Sequence, residues 1–142
     1  MAVVDYYKLA NRTKSFTHTA PHIARLDALY RDHIVARLLE HSVLHWDQSI
    51  RLLAAESLGQ MSCSDVAFAK QAVESVMPRL IERALTTRDT NERHGVLLAL
   101  AEIVRGLQTC AQEVDPSCAP SNELQRVRTR PWHRDVGTRA SR

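Results

Sequence analysis

Glycine is scarce here: four residues in 142, with two phenylalanines and an aromatic content of 5%. That leaves little from which to build the turns and cross-strand aromatic pairs of a sheet. Abundant Leu, Ala, Arg and Glu, whose straight side chains lose little rotamer freedom in a helix, predict an all-α chain instead. The three cysteines, Cys63, Cys110 and Cys118, are odd in number and form no Cys-x-x-Cys, and "MAVVDYYKLANR" lacks the apolar core of a signal peptide. A reduced, cytoplasmic chain is expected. The longest apolar run, "VLLALAEIV" from Val96 to Val104, contains Glu102 and falls far short of the roughly 20 residues of a membrane span. Glycine-rich phosphate loops and Gly-x-Ser-x-Gly are absent, which removes the usual signals for nucleotide binding and for a serine hydrolase. A hydrophobic fraction of 44% with 25% charged residues excludes disorder throughout.

The net charge of +3 is unevenly placed. Residues 119–142 hold six arginines against Glu123 and Asp135, a local +4 that leaves residues 1–118 at −1. A near-neutral body disfavours a nucleic-acid face, because phosphate contacts need clustered cations. The segment "APSNELQRVRTRPWHRDVGTRASR" breaks at Pro120 and Pro131 and lacks a sustained apolar stripe, so a basic, disordered tail is expected there. Its arginines and Trp132 could serve RNA or an acidic protein surface.

A shift of 42 lays "IVARLLEHSVLHWDQSIR" (Ile34–Arg51) on "VMPRLIERALTTRDTNER" (Val76–Arg93), matching Arg37 with Arg79, Leu38 with Leu80, Glu40 with Glu82, Asp47 with Asp89 and Arg51 with Arg93. The same register matches Leu58 with Leu100. A period in the 40s is that of HEAT and armadillo repeats, each a pair of helices. Helical spacing predicts one apolar stripe of Leu26, Leu29, Tyr30, Ile34, Arg37 and Leu38 and a second of Ile50, Leu53, Ala54, Ser57, Leu58 and Met61. In the next unit the stripes are Val73, Val76, Met77, Leu80, Ile81, Ala84 and then Val96, Ala99, Leu100, Ile103, Val104, Leu107. The expected organisation is a HEAT-like segment over 1–118, with units of about 22–62 and 65–112 after a partial N-terminal unit, and a tail over 119–142. Turns are placed near His45–Asp47 and Thr87–Thr90, with Asp47 and Asp89 as helix caps. Pro78 predicts a short helix near 65–75 and a fresh start near Met77, with a continuous, kinked helix as the alternative. Two units with open ends predict marginal stability and self-association.

Several residues invite sharper readings. His41 and His45 share the i, i+4 spacing of a metal pair, but no third ligand is suggested. Ser42, His45 and Asp47 offer the residue types of a triad without a nucleophile elbow or oxyanion hole. Trp46 is expected to pack in the seam between repeats, with a partner anchor as the alternative, and Gly95 to admit close helix approach beside Arg93 and His94.

Repeat patterning alone would not supply the words "HWDQSIRLLAAESLGQM" and "RHGVLLALAEI", in which His45, Trp46, Asp47, Ile50, Arg51, Leu53, Ala54, Ala55, Leu58, Arg93, His94, Gly95, Ala101 and Glu102 stand in a set order. With "DYYKLANR" (Asp5–Arg12), they resemble the tubulin-folding cofactor D family over roughly residues 5–112. Gln48 stands where that family has Gly and Leu52 where it has Glu, so partner contacts there are the ones in doubt. The resemblance implies a short internal piece of a much longer α-solenoid whose Asp and Arg bridge neighbouring repeats. It also implies a microtubule-associated chaperone that binds β-tubulin, works with the sister cofactors C and E and with a small Arf-like GTPase, and stimulates GTP hydrolysis by tubulin within that complex. It implies no active site, metal or cofactor in the chain itself. Trp46, Gln48 and Leu52 are then the candidate protein-binding residues. The competing readings are a HEAT or armadillo adaptor for another protein, an enzyme built on His45 and Asp47, and a nucleic-acid binder acting through the tail.

Overall fold

The structure, a computed structural model, describes residues 6–114, with side chains over 10–111. Asp5, Cys118, Trp132 and the whole basic tail lie outside the described residues. Among those described the chain is all-α, with no strand.

The N-terminal part comprises α1 (Tyr6–Lys14), a π-helical segment Ser15–Thr19 and α2 (Ala20–Leu26). A hairpin follows, of α3 (Ala28–Arg37) with the π-helical Leu38–Ser42, then α4 (Gln48–Ser64). A second hairpin pairs α5 (Val66–Gln71), the π-helical Ala72–Val76 and α6 (Met77–Thr86) with α7 (Thr90–Val114). The starts of α3, α4, α5 and α7 each have an aspartate. Asp27, Asp47 and Asp65 accept the N–H two residues on, from Leu29, Ser49 and Ala67, and Asp89 accepts that of Asn91. A short carboxylate there satisfies an amide that has no intrahelical partner.

Pro78 does not follow a break in the chain: the helix is continuous through it, as the alternative reading had it. Val76 and Met77 keep helical dihedrals through the junction, and the Met77 N–H reaches back five residues to the Ala72 carbonyl. A wide π turn loosens the hydrogen-bond ladder ahead of a proline that could not have joined it.

The core is shared by both hairpins: Leu38, Leu39 and Val43 from the first helix, Ala54, Leu58 and Met61 from α4, Phe68, Ala72, Val76 and Leu80 from the third, and Val96, Ala99 and Ile103 from α7. The largest interface lies between α4 and α7. Its contacts climb together along the chain, Arg51 to His94, Gly59 to Glu102 and Ser62 to Gly106, so the two helices run parallel. At the glycines the approach is to backbone. A Cβ on Gly106 would stand 2.1 Å from the Gly59 carbonyl oxygen, and one on Gly95 only 1.8 Å from that of Val43. Neither glycine has a positive φ, so both are needed for room rather than for backbone freedom.

The first apolar stripe is corrected. Leu26, Leu29 and Tyr30 are exposed, and the buried face of that helix is Val35, Leu38 and Leu39. Leu26 ends α2 before the break at Asp27, so it is on a different helix from the residues it was matched with. The π turn at Leu38–Ser42 then shifts the phase beyond it. Val73 and Ile81 are likewise exposed, while Phe68 and Ala72, absent from the predicted stripe, are fully buried.

Candidate protein-binding surface at the helix turns

The two turns that lead into α4 and α7 are built from the same bonds, 42 residues apart. At the first, the Asp47 N–H donates to His45 Nδ1 (3.0 Å), Asp47 Oδ1 accepts from the Ser49 N–H (2.9 Å), and Arg51 Nη1 donates to the His45 carbonyl (2.7 Å). At the second, the Asp89 N–H donates to Thr87 Oγ1 (3.2 Å), Asp89 Oδ1 accepts from the Asn91 N–H (2.7 Å), and Arg93 Nη2 donates to the Thr87 carbonyl (2.5 Å). Side-chain acceptor, cap and arginine clasp recur although His45 and Thr87 differ in chemistry.

The arginines then part company. Arg93 is exposed, whereas Arg51 is only 5% exposed and also donates to the Trp46 carbonyl (2.8 Å) and, from Nε, to His94 Nδ1 (3.2 Å). A buried guanidinium is tolerable only when its donors are used, and here two backbone carbonyls and an imidazole nitrogen accept from it. The expected Asp–Arg bridge is therefore not made by Asp47 and Arg51: the link between hairpins runs from Arg51 to His94. An acid–base bridge does exist elsewhere, between Arg31 and Asp65 (3.1 Å), joining α3 to the start of α5. Asp32, accepting from Gln71 Nε2 (3.2 Å), supports the same seam.

Trp46 overturns the packing expectation, since it is 78% exposed. The inward place in the turn is taken by half-buried His45, whose ring lies 5.3 Å from the indole at a 31° tilt, and the Trp46 carbonyl is held by Arg51. Gln48 is exposed on the first turn of α4, as is Leu52, at 46%, one turn on. Gly95 and His94 sit instead inside the contact between hairpins, and Asp89 at the exposed second turn.

Charge is also organised at the turns. Asp47 is held below the usual carboxylate range, chiefly by the Ser49 hydroxyl (2.8 Å) and N–H, with His45 and Arg12 adding attraction. Glu92 is held low by Arg83 and by the Thr87 hydroxyl (2.8 Å), which ties the end of α6 to the start of α7.

Two grooves flank the hairpins. One of about 490 Å³ is lined by Glu40, Arg79, Glu82, Arg83 and Glu92, of both charge signs. The other, of about 420 Å³, is apolar and lies between Phe16, Ile34, Leu38 and Ile50 with His41 and His45 at its wall. Among the described residues no three His, Cys, Asp or Glu side chains gather where a metal could bind, and no helix is long and apolar enough to cross a membrane. The Ser42, His45 and Asp47 set is used by the turn itself: His45 Nδ1 takes the Asp47 amide rather than the carboxylate. Sequence reasoning missed His94 as the acceptor for Arg51, Gly59 and Gly106 as the close-approach pair, and Arg31 with Asp65. The shift of 42 carries Gly59 to Ala101 and Gly106 to Ser64, so the repeat register did not signal that the two glycines meet.

No protein-family model matches the chain. No solved structure matches it either.

Proposed function

We propose that the chain is a HEAT/armadillo-like α-solenoid segment, similar to part of a tubulin-folding cofactor D, and that it serves as a protein-binding scaffold for β-tubulin. On this reading it takes part in folding after chaperonin release and in assembling the α/β-tubulin heterodimer. The sister cofactors C and E and a small Arf-like GTPase complete the complex, and GTP is hydrolysed by tubulin, stimulated by that complex. The chain supplies a surface and no catalytic group, in the cytoplasm on the microtubule cytoskeleton.

The observation that carries the binding role is the exposed Trp46, held out on a turn whose backbone is clamped by Arg51 and Asp47. A backbone fixed beneath an exposed indole suits a binding anchor, since little backbone entropy is left to lose on docking. Two hairpins stacked in parallel with chemically repeated turns support the solenoid reading. Repeat architecture by itself supports binding and not chemistry.

The test is capture of purified β-tubulin by the full chain at low and at physiological salt, beside Trp46→Ala and Leu52→Glu. Capture that survives physiological salt and drops at least about tenfold with Trp46→Ala supports the proposal. Capture seen only at low salt and indifferent to Trp46 assigns the contact to charge, through the basic C-terminal residues. An adaptor for another protein shares the same turn geometry, and absence of tubulin capture at either salt would favour it.

A further inference from the structure

The apolar groove beside the first hairpin is walled on one side by Ser15–Thr19 and on the other by α3 and Leu38–Ser42. Phe16, Ile34 and Ile50 stand half-buried around it over buried Leu38. Its volume, about 420 Å³, falls in the range of about 300–1,000 Å³ usual for small-molecule sites. The charge in its wall has one sign. Arg37 lines it, and among the described residues no aspartate or glutamate does. Arg37 joins none of the ion pairs among the described residues, whereas Arg31, Arg83 and Arg105 each hold a carboxylate. His41 and His45 share the wall, and His45 Nδ1 accepts from the Asp47 N–H (3.0 Å), so the neutral ring keeps its proton on Nε2 as a donor. The charged groove is different in kind: Glu40, Glu82 and Glu92 stand beside its arginines and would repel an anion.

We propose that the apolar groove is a binding site for a small aliphatic carboxylic acid, its tail among Phe16, Ile34, Leu38 and Ile50 and its carboxylate on Arg37. The apolar walls select against a ligand that is polar throughout, because its groups would lose water without gaining partners. The wall selects the sign of the head group: a guanidinium presents two parallel N–H donors to a carboxylate, while an ammonium head would meet a like charge and no acid. The size selects a whole small molecule, since one side chain of a protein partner would fill only part of the groove. This site is separate from the tubulin surface, as neither Trp46 nor Leu52 lines it.

Calorimetric titration of the full chain with octanoate, decanoate and dodecanoate, beside decanol and decyltrimethylammonium, reads tail and head separately. Decanoate should bind in a one-to-one ratio, with each added methylene tightening binding by up to about fourfold while the tail still fits. Decanol should bind about tenfold more weakly than decanoate, as loss of a hydrogen bond to a charged group does, and decyltrimethylammonium more weakly still. Arg37→Gln should abolish the advantage of decanoate over decanol and leave decanol binding unchanged, so the decanol arm also shows that the variant is folded. Leu29→Asp, at an exposed apolar position outside the groove, should leave decanoate binding intact. No saturable binding of decanoate overturns the proposal, as does an advantage over decanol that survives Arg37→Gln. Decyltrimethylammonium binding as tightly as decanoate overturns it too, and so does decanoate binding that Leu29→Asp removes, which would place the ligand on the exposed face of α3.

Discussion

Arg51 is the residue on which both hairpins depend. It carries a buried charge with no carboxylate beside it, three hydrogen bonds to His45, Trp46 and His94, and a position between the Asp47 turn and α7. Arg51→Ala would remove those bonds and leave two carbonyls and an imidazole nitrogen without a donor. Hydrogen bonds from a charged group contribute about 1.5–3 kcal/mol each but not additively, so a loss of about 3 kcal/mol in chemical denaturation is expected. Arg51→Lys should recover little, because one ammonium cannot reproduce the guanidinium fork. Gly95 gives a prediction of opposite sign to helix propensity. Gly→Ala inside a helix normally gains about 1 kcal/mol, yet the added carbon would sit 1.8 Å from the Val43 carbonyl oxygen. Overpacking against backbone outweighs that gain, and Gly95→Ala should lower the melting temperature. Ser57 runs the other way: it is fully buried, its hydroxyl has no hydrogen-bond partner, and its counterpart 42 residues on is Ala99. Ser57→Ala should stabilise by about 1 kcal/mol, read from the denaturation midpoint.

Elements were legible in the sequence where capping chemistry marks them and illegible where tertiary context decides. Asp47 and Asp89 announce the starts of α4 and α7 through a short carboxylate followed by an apolar helical period, and both are caps. The first helices of the two hairpins hide their faces. The π turns lie at Leu38–Ser42 and Ala72–Val76, which are not equivalent under the shift of 42, and each rotates the side chains beyond it out of the 3.6-residue period. Leu29 and Tyr30 carry the right residue types for a core, but no helix covers them, and spacing alone does not reveal which side has a neighbour. Trp46 fails for the same reason: it is 78% exposed because no element packs over its turn, which a side-chain pattern does not reveal. Carboxylates at the helix starts also set a pH dependence. Asp47 and Glu92 bind protons less readily folded than unfolded, so their contribution is present above the ordinary carboxylate range and is lost as pH falls through their lowered values. Titration of helical circular dichroism from neutral to acid should show helix lost on the acid side, and Glu92→Gln should flatten that loss at the second turn.

At the scale of the molecule, the shared core makes the two hairpins one cooperative body, since Val96, Ala99 and Ile103 of α7 belong to the same cluster as Leu58 and Met61 of α4. The seam where Gly59 meets Gly106 sets how that body comes apart. Those glycines are separated by a whole repeat of chain, so the contact forms only after both hairpins are largely in place, and loop closure must be met before the seam contributes. Neither α4 nor α7 can then open while the other stays shut. Amide hydrogens along both helices should exchange at one common free energy, above that of α1 and α2, and the slowest pair should flank the two glycines.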